Sequence, residues 1–455
     1  MRPSIRIRVS TCLAYHNRSF ARGSPISGSL ILRGKAGIYR FYSSESLPTV
    51  GAVVVGAGPG GITVVGNLLE HTAQLEKLQS APFKPSLVWV DPHFKGGRVN
   101  GRYREVPSNT KVNLFLQFAT AVSAFRHIAK TTPEPNALTA LKQLPQDQGC
   151  SLSHAADMCM MLTAGLAKHR KVSMYPAKLA IATLNEANRT WTVELDTNQI
   201  FTTSMLVLCT GSSPISKTLP AIESLHPQGL KSVDLDTALT PSVLAKTFDP
   251  AANTIVAVVG ASHSAILVLM NLVQLAGSSH PNLRVKWFTR HPLRYAEYMD
   301  GWILRDNTGL KGQAADWARN NLDAPSAFVD KVITKIWTQG KEEESYKAEL
   351  PGCTHIVQAV GYVRDPLPQF EVIAKENGTP APLDVEYDDL NGRFYRSGQS
   401  ASPKQAREYV PGLFGAGIAF PERVTDPYGN VEHAVGFWKF MKYMKRVVPE
   451  WVGKP

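Results

Sequence analysis

The amino-acid sequence predicts an α/β protein built on two parallel β-sheets. An apolar run at Val50–Val55, a helical pattern over 60–79 and a second apolar run over 86–90 form a β-α-β unit. The same succession occurs again later in the chain, at Thr254–Val259, 262–276 and Arg284–Phe288. Short, wholly apolar strands that alternate with helices are typical of parallel sheets covered on both faces. The chain therefore holds two such units.

Other segments complete the predicted architecture. They are a helix over 151–169, an antiparallel ribbon over 177–184 and 190–195, buried strands over 205–209 and 355–360, and a C-terminal amphipathic helix over 430–447. Ser151 is a favourable residue for capping its helix. Alternation of apolar and polar residues with period two predicts the ribbon.

A glycine-rich loop follows the first strand. Residues 56–61 match the pattern G-x-G-x-x-G between a strand and a helix. The first glycine permits the tight turn, the second lets the backbone approach a pyrophosphate, and the last allows close packing of helix on strand. We therefore expect a Rossmann-like dinucleotide site rather than a glycine turn that binds nothing. Its predicted binding residues are Gly56, Gly58, Pro59, Gly60, Gly61 and, at the end of the next strand, Asp91 for the ribose hydroxyls.

A second, looser phosphate loop follows the strand over 254–259. Gly260 makes the turn, Ser262 stands where a glycine is commoner, and Ser264 is small enough for close packing. The next strand ends in Arg290 rather than in an acid. A cation at that position suits the 2′-phosphate of NADPH, and the alternative is a solvated loop charge. The sequence therefore favours NADPH over NADH.

Four motifs together carry a resemblance to a known family. They are the two glycine loops, Leu208-Cys209-Thr210-Gly211 and Ala359-Val360-Gly361-Tyr362. The set resembles the two-dinucleotide-binding flavoproteins. The serine-bearing second loop and the Ala-x-Gly-Tyr turn are most similar to flavin-dependent monooxygenases, including the N-hydroxylating branch. The resemblance extends from about residue 50 to the end of the chain.

This resemblance implies a domain organisation and two cofactors. FAD would be bound by a domain made of two segments, 47–215 and 356–455, with an NAD(P)-binding domain inserted at 216–355. Gly211, Gly361 and Gly417 would belong to the cofactor sites. Related flavoproteins often carry an Asp after the final Gly-x-Gly, where this chain has Ile418. Without that Asp, we expect backbone amides around 415–419 to make the contact that holds the flavin side chain.

The resemblance also suggests catalytic candidates outside the glycine loops. Residues 107–113 fall where such flavoproteins bring a loop over the flavin ring, so Asn109 and Asn113 could bond the flavin, the nicotinamide or oxygen. Asparagine close to proline is equally common in plain turns. His433, near the start of the last predicted helix, could donate protons or be merely structural.

The C-terminal helix has two interpretations. Its predicted apolar stripe consists of Val431, Ala434, Val435, Trp438, Met441 and Met444. Such a stripe usually packs on a domain core. The alternative is peripheral contact with an anionic membrane face.

The N-terminal residues differ in charge from the rest of the chain. Residues 1–42 hold eight basic side chains and no acid, and the formal charge of +12 falls to +4 when those eight are left out. An Arg-rich, acid-free leader is typical of a mitochondrial transit peptide, and the alternative is a basic tail with no address. Arg40-Phe41-Tyr42 suggests cleavage near Ser43. The ordinary charge of the remainder argues against a nucleic-acid partner.

The cysteines exclude several chemistries. The five cysteines include no C-x-x-C pair, which argues against a redox dithiol and against a metal site. No apolar run approaches the ~20 residues needed to span a bilayer.

The sequence therefore predicts an FAD-dependent, NADPH-consuming monooxygenase that uses oxygen on a small molecule in mitochondria. The alternatives are a flavin reductase that passes electrons to a quinone or an iron–sulfur partner, and a flavin-binding assembly factor. Substrate and oligomeric state stay open.

Overall fold

The computed structural model describes residues 30–34, 37–41, 47–78, 86–215, 218–225, 229–375, 378–398 and 408–453. The chain divides into two compact units, Met1–Leu47 and Pro48–Pro455. In the first unit, Leu30–Gly34 and Gly37–Phe41 form an antiparallel hairpin. Apart from this hairpin, the predicted transit segment 1–42 lies outside the described residues. In the described part of the chain, no helix is long and apolar enough to cross a membrane.

A seven-stranded sheet organises the first and last parts of the larger unit. Its strands lie in the order Val385–Asp388, Arg393–Arg396, Tyr409–Gly415, Leu206–Leu208, Ala52–Val55, Leu87–Val90 and Val172–Tyr175. The last five are parallel to one another, and the first two continue the sheet antiparallel. Strands from both ends of the sequence therefore build one domain.

A five-stranded, wholly parallel sheet organises the middle of the chain. Its order is Lys231–Ser232, His355–Gln358, Ile255–Val259, Arg284–Thr289 and Ile333–Trp337. The two predicted parallel sheets are thus confirmed. The strand His355–Gln358 belongs to this sheet because it pairs with Ile255–Val259, so the inserted domain extends past the predicted boundary at residue 355.

A short antiparallel ribbon joins the two domains. Ser212–Pro214, where the chain leaves the first domain, pairs with Tyr362–Arg364, where it returns.

The antiparallel ribbon predicted over 177–184 and 190–195 is also present, as Leu179–Asn185 and Thr190–Leu195. These two strands belong to a six-stranded sheet that also holds Pro380–Pro382, Gln369–Ile373, Ile200–Thr203 and Thr49–Val50.

Helices cover the two parallel sheets. In the first domain they are Pro59–Leu78, Gly97–Gly101, Val112–Ala119, Ser123–Thr131, Ala137–Lys142, Leu152–Leu166 and the terminal Phe437–Gly453. In the inserted domain they are Pro220–Glu223, Leu235–Ala238, Pro241–Leu244, His263–Ser278, Gly312–Ala318, Val329–Val332 and Glu342–Glu349, with a π-helical turn at Arg319–Asp323.

Among the described residues, three further two-stranded pairs lie outside the large sheets. They are Pro107–Lys111 with Gly149–Ser151, Glu297–Tyr298 with Ile303–Leu304, and Glu422–Thr425 with Val431–Ala434.

The prediction for the C-terminal helix was wrong at its start. Val431–Ala434 is a strand paired with Glu422–Thr425, and the helix begins only at Phe437. Gly436 separates the two, with a φ of +145° that a residue with a side chain rarely adopts. The buried face of the helix packs into the core of the first domain, which supports the packed alternative. That face consists of Phe437, Phe440, Met441, Tyr443, Met444, Val447, Val448 and Trp451.

Candidate functional site

The first glycine loop is held by close backbone contacts. Gly56 has a φ of +107°, and a Cβ on it would lie 2.2 Å from the carbonyl oxygen of Cys209. A Cβ on Gly61 would lie 1.8 Å from the carbonyl oxygen of Gly56. Neither space admits a side chain, so these two glycines are required by the polypeptide itself. They confirm the tight turn and the close helix–strand packing that the motif predicts.

Gly58 is different, because the polypeptide does not require a glycine there. The nearest atom to a Cβ on Gly58 would be the Cα of Gly97, at an ordinary 3.8 Å. Its backbone also lies outside the positive-φ region. The space beside Gly58 therefore fits a group other than the chain itself. A pyrophosphate approaching the start of the helix Pro59–Leu78 suits that space and the positive end of the helix dipole.

Two further glycine segments close around this loop. A Cβ on Gly60 would lie 2.8 Å from the Cα of Gly417, so the final Gly-x-Gly abuts the start of the first helix. Gly96 and Gly97 also have positive φ values, +67° and +64°, and Gly97 lies against Gly58. The sequence analysis missed this pair. A double glycine soon after the acid-ended strand was the available signal.

Asp91 holds the loop from the end of the neighbouring strand. Its Oδ2 accepts a 2.7 Å hydrogen bond from the backbone amide of Ala57, inside the glycine loop. Its Oδ1 accepts from the amides of His93 and Phe94 at 2.8 and 2.7 Å. Each carboxylate oxygen has more than one lone-pair direction, so the predicted contact with a ribose hydroxyl is compatible with these bonds.

Some buried polar side-chain atoms of the first domain have no hydrogen-bond partner among the described residues. The described structure gives no hydrogen-bond partner to Thr210 Oγ1, next to Gly211, or to Asn113 Oδ1. Buried polar groups normally have a partner, so these atoms are suited to a bound cofactor or substrate. Ile418, where related proteins often carry Asp, is 43% exposed, which is consistent with leaving the contact to backbone.

The second glycine loop repeats the geometry of the first. Gly260 has a φ of +130°, and a Cβ on it would lie 2.4 Å from the carbonyl oxygen of Ala359. Ser262 occupies the N-cap position of the helix His263–Ser278 in an extended conformation, without a capping hydrogen bond from its side chain. Burial raises the pKa of Tyr362, on the returning strand of the linking ribbon, and the nearby hydroxyls of Tyr103 and Ser264 oppose that shift. Ser262 thus ends the glycine loop, and Ser264 lies in the first turn of the helix that follows it.

A cleft of about 770 Å³ opens over this second loop. Gly260, Ser262, Arg290 and Gly361, all predicted from the sequence, line it. Arg290 is exposed at the end of its strand, and none of the ion pairs found among the described residues involves it. Arg294 lines the cleft as well, so two guanidinium groups are available to an anionic group.

The predicted catalytic residues do not come together as one group. Asn109 is exposed on the strand Pro107–Lys111, whereas Asn113 lies in the helix Val112–Ala119, so the expected loop is a strand followed by a helix. His433 lies on a strand instead of a helix. Its side chain is 55% exposed and its Nε2 lies 3.0 Å from Asp389 Oδ2. That exposed hydrogen bond supports the structural alternative for His433.

A half-buried polar cluster that the sequence analysis missed joins the two domains beside the second loop. Asp306, in the inserted domain, contacts Lys311 and pairs with Lys439 of the terminal helix at 2.8 Å. Burial raises and the two lysine hydrogen bonds lower the pKa of Asp306, and the net effect is a lowered pKa. Burial, and then the charge of Lys311, lower the pKa of Lys439.

His263 faces this cluster from the first turn of its helix. Burial, followed by the positive charge of Lys311, lowers its pKa to about 4. Its buried Nδ1 has no hydrogen-bond partner in the described structure. The imidazole is therefore neutral at physiological pH. Among the described residues, no group of three His, Cys, Asp or Glu side chains could hold a metal ion.

Known proteins share much of this sequence or have a similar fold. No family model matches the chain. The chain is 50% identical over 410 residues to monooxygenase AgnR1 of Paecilomyces divaricatus, an alignment that covers 88% of this chain and 97% of that protein. A flavin-containing monooxygenase from Stenotrophomonas maltophilia has a similar fold, with a TM-score of 0.51 at 13% identity over 90% of this chain and 99% of that one. A double mutant of a flavin monooxygenase from the same bacterium gives 0.52 at 12% identity over the same shares.

The two parallel-sheet domains, each with a glycine turn opening a helix, define a two-dinucleotide flavoprotein. Because it is 50% identical to monooxygenase AgnR1 over nearly the whole of that protein, the chain belongs to the same family of monooxygenases, and it has the fold of the flavin-containing monooxygenases. It is an FAD-containing oxidoreductase. Bound FAD would supply the chemistry of hydride acceptance and of electron transfer to oxygen, and the protein's own residues would orient the reactants and exclude water. The residues that would hold FAD are those around Gly58, Asp91, Gly97 and Gly417.

Proposed function

We propose that this protein uses NADPH to oxygenate a small molecule. The position of Arg290 is the observation that favours NADPH over NADH. Arg290 directly follows Arg284–Thr289, the second strand of the second β-α-β unit, and lines the cleft over Gly260 and Ser262. A guanidinium at this point is complementary to a 2′-phosphate, which NADH lacks. An acid at this place would instead favour the free ribose hydroxyl of NADH.

The experiment is stopped-flow spectroscopy of the purified protein with both nicotinamides. Under anaerobic conditions, NADPH should bleach the flavin much faster than NADH. On mixing with oxygen, a monooxygenase should show a spectrally distinct transient before the oxidised spectrum returns, because a dry pocket protects the oxygenated flavin. Reoxidation in one phase, and faster with a quinone than with oxygen, would favour an electron-transfer reductase instead.

We further propose that the protein is delivered to mitochondria. The support is compositional: residues 1–42 carry eight basic side chains and no acid. Incubation of the full chain with energised mitochondria should give a protease-protected product that begins near Ser43. The matched control replaces Arg40 with Ala, which should block cleavage but leave uptake intact. An uncleaved, protease-sensitive chain would contradict this location.

A further inference from the structure

Arg98 connects the first cofactor loop to the inserted domain. It directly follows Gly97, whose backbone lies against Gly58 in that loop. The guanidinium Nη2 of Arg98 pairs with Oδ2 of Asp236, in the helix Leu235–Ala238 of the inserted domain. The side chains of Arg98 and Asp236 are 32% and 10% exposed. This ion pair is therefore largely withdrawn from water, unlike the exposed pair of Arg104 with Asp157.

Tyr103 also binds the carboxylate of Asp236. Its hydroxyl donates to Asp236 Oδ1 at 3.0 Å and accepts from Arg98 Nε at 3.2 Å. Both oxygens of Asp236 are thus bound by side chains of the FAD domain. An arginine and a tyrosine that hold one carboxylate at both oxygens fix its direction as well as its distance.

The same cluster reaches the second cofactor loop. The hydroxyls of Tyr103 and Tyr362 lie 3.5 Å apart, and the side chain of Tyr362 lies near that of Ser264, in the first turn of the helix that follows the second glycine loop. Arg98 Nη1 also donates to Ser213 Oγ at 3.4 Å, on the outgoing strand of the linking ribbon. A continuous set of polar contacts therefore runs from the backbone beside Gly58 to the loop beside Gly260.

We propose that Arg98 and Asp236, with Tyr103, are positioning residues that set the orientation of the inserted domain for hydride transfer to the flavin. Domains within one chain move relative to each other unless a specific interface prevents it. Hydride transfer needs donor and acceptor in close register, and a misplacement of about 1 Å can cost about a hundredfold in rate. This inference rests on the proposed reduction by NADPH bound over Gly260.

The test separates reduction of the flavin from its reaction with oxygen. In Arg98→Met, and in Arg98→Met combined with Asp236→Leu, saturating NADPH should reduce the flavin about a hundredfold more slowly than in the wild type. Protein reduced by dithionite should still react with oxygen at the wild-type rate. Amide hydrogens of residues 235–242 should exchange faster, a readout that needs no turnover. Arg98→Lys should recover part of the reduction rate, and Arg104→Met, which breaks an exposed ion pair, should match the wild type.

The double variant decides between positioning and plain stability. It leaves no buried charge without a partner, so it remains informative if Arg98→Met alone fails to fold. Wild-type reduction in the double variant would overturn the proposal. Equal slowing after dithionite reduction would also overturn it, because the flavin site itself would then be damaged. If NADPH could not reduce the flavin of the wild-type protein, the proposed function would be contradicted instead. Amide exchange in residues 235–242 would still decide whether Arg98 and Asp236 hold the two domains together.

Discussion

The indole Nε1 of Trp287 donates a 2.7 Å hydrogen bond to the carbonyl oxygen of Gly260. The first domain repeats this bond, with Trp89 Nε1 at 2.9 Å from the carbonyl oxygen of Gly56. Both tryptophans are fully buried on the second strand of their β-α-β unit. Each ties that strand to the turn before the helix. A looser motif, with Ser262 in place of glycine, therefore still holds the tight turn of a dinucleotide loop.

Gly58→Val should abolish FAD binding without unfolding the protein. In the structure a Cβ at this position finds only an ordinary 3.8 Å contact, so the larger side chain fills the space that a pyrophosphate needs. We expect a colourless protein with a wild-type circular dichroism spectrum. The matched variant Gly61→Ala should instead fail to fold, because its Cβ would lie 1.8 Å from a backbone oxygen. A yellow Gly58→Val protein would contradict the assignment.

Arg290→Ala should weaken NADPH binding and spare NADH. The loss of a charge-assisted hydrogen bond to the 2′-phosphate is worth ~1.5–3 kcal/mol. This corresponds to roughly ten- to hundredfold in the dissociation constant, measured from flavin reduction at varied nicotinamide concentration. Arg319→Ala, an exposed substitution outside the cleft, is the control. Equal losses with both nicotinamides would mean that Arg290 has only a structural role.

Asn113→Ala should increase the escape of hydrogen peroxide during NADPH oxidation. The buried Oδ1 of Asn113 has no partner among the described residues, so it is available to a bound group. Removal of one such hydrogen bond costs about 1 kcal/mol, which predicts roughly a fivefold change in the peroxide-forming fraction. Asn109→Ala should have little effect because that side chain is exposed. The reverse order of the two variants would restore the original role predicted for Asn109.

His263 should make stability depend on pH between about 4 and 6.5. Burial lowers its pKa to about 4 from 6.5, so the unfolded chain binds this proton more tightly than the folded one. The contribution is complete above pH 6.5 and is lost as the pH falls towards 4. Wild-type protein should lose about 2 kcal/mol of unfolding free energy through this group between pH 7 and 5.

Urea denaturation at the two pH values measures this loss. His263→Gln should show a smaller loss than the wild type because the variant has no imidazole to protonate. His433→Gln, which changes an exposed histidine, should behave as the wild type does. The same pH dependence in wild type and His263→Gln would show that another group is responsible.

Local sequence determined the parts of this protein whose physics is local. The turns at Gly56 and Gly260 need glycine because neighbouring backbone leaves no room for a Cβ, and that requirement is visible in the motif itself. Arg290 and Asp91 could be proposed as cofactor-binding residues because each stands at the end of a predicted strand. The alternation of apolar runs and helices was enough for two parallel sheets.

Only the tertiary structure decided what depends on residues far apart in the chain. Val431–Ala434 became a strand because Glu422–Thr425 pairs with it, although its own pattern suits a helix. The partnership of Arg98 with Asp236 joins residues of two domains, and no local pattern marks it. The same holds for Asp306 with Lys439. Contacts of this kind arise from how the inserted domain lies on the FAD domain, an arrangement that periodicity and turn chemistry do not encode.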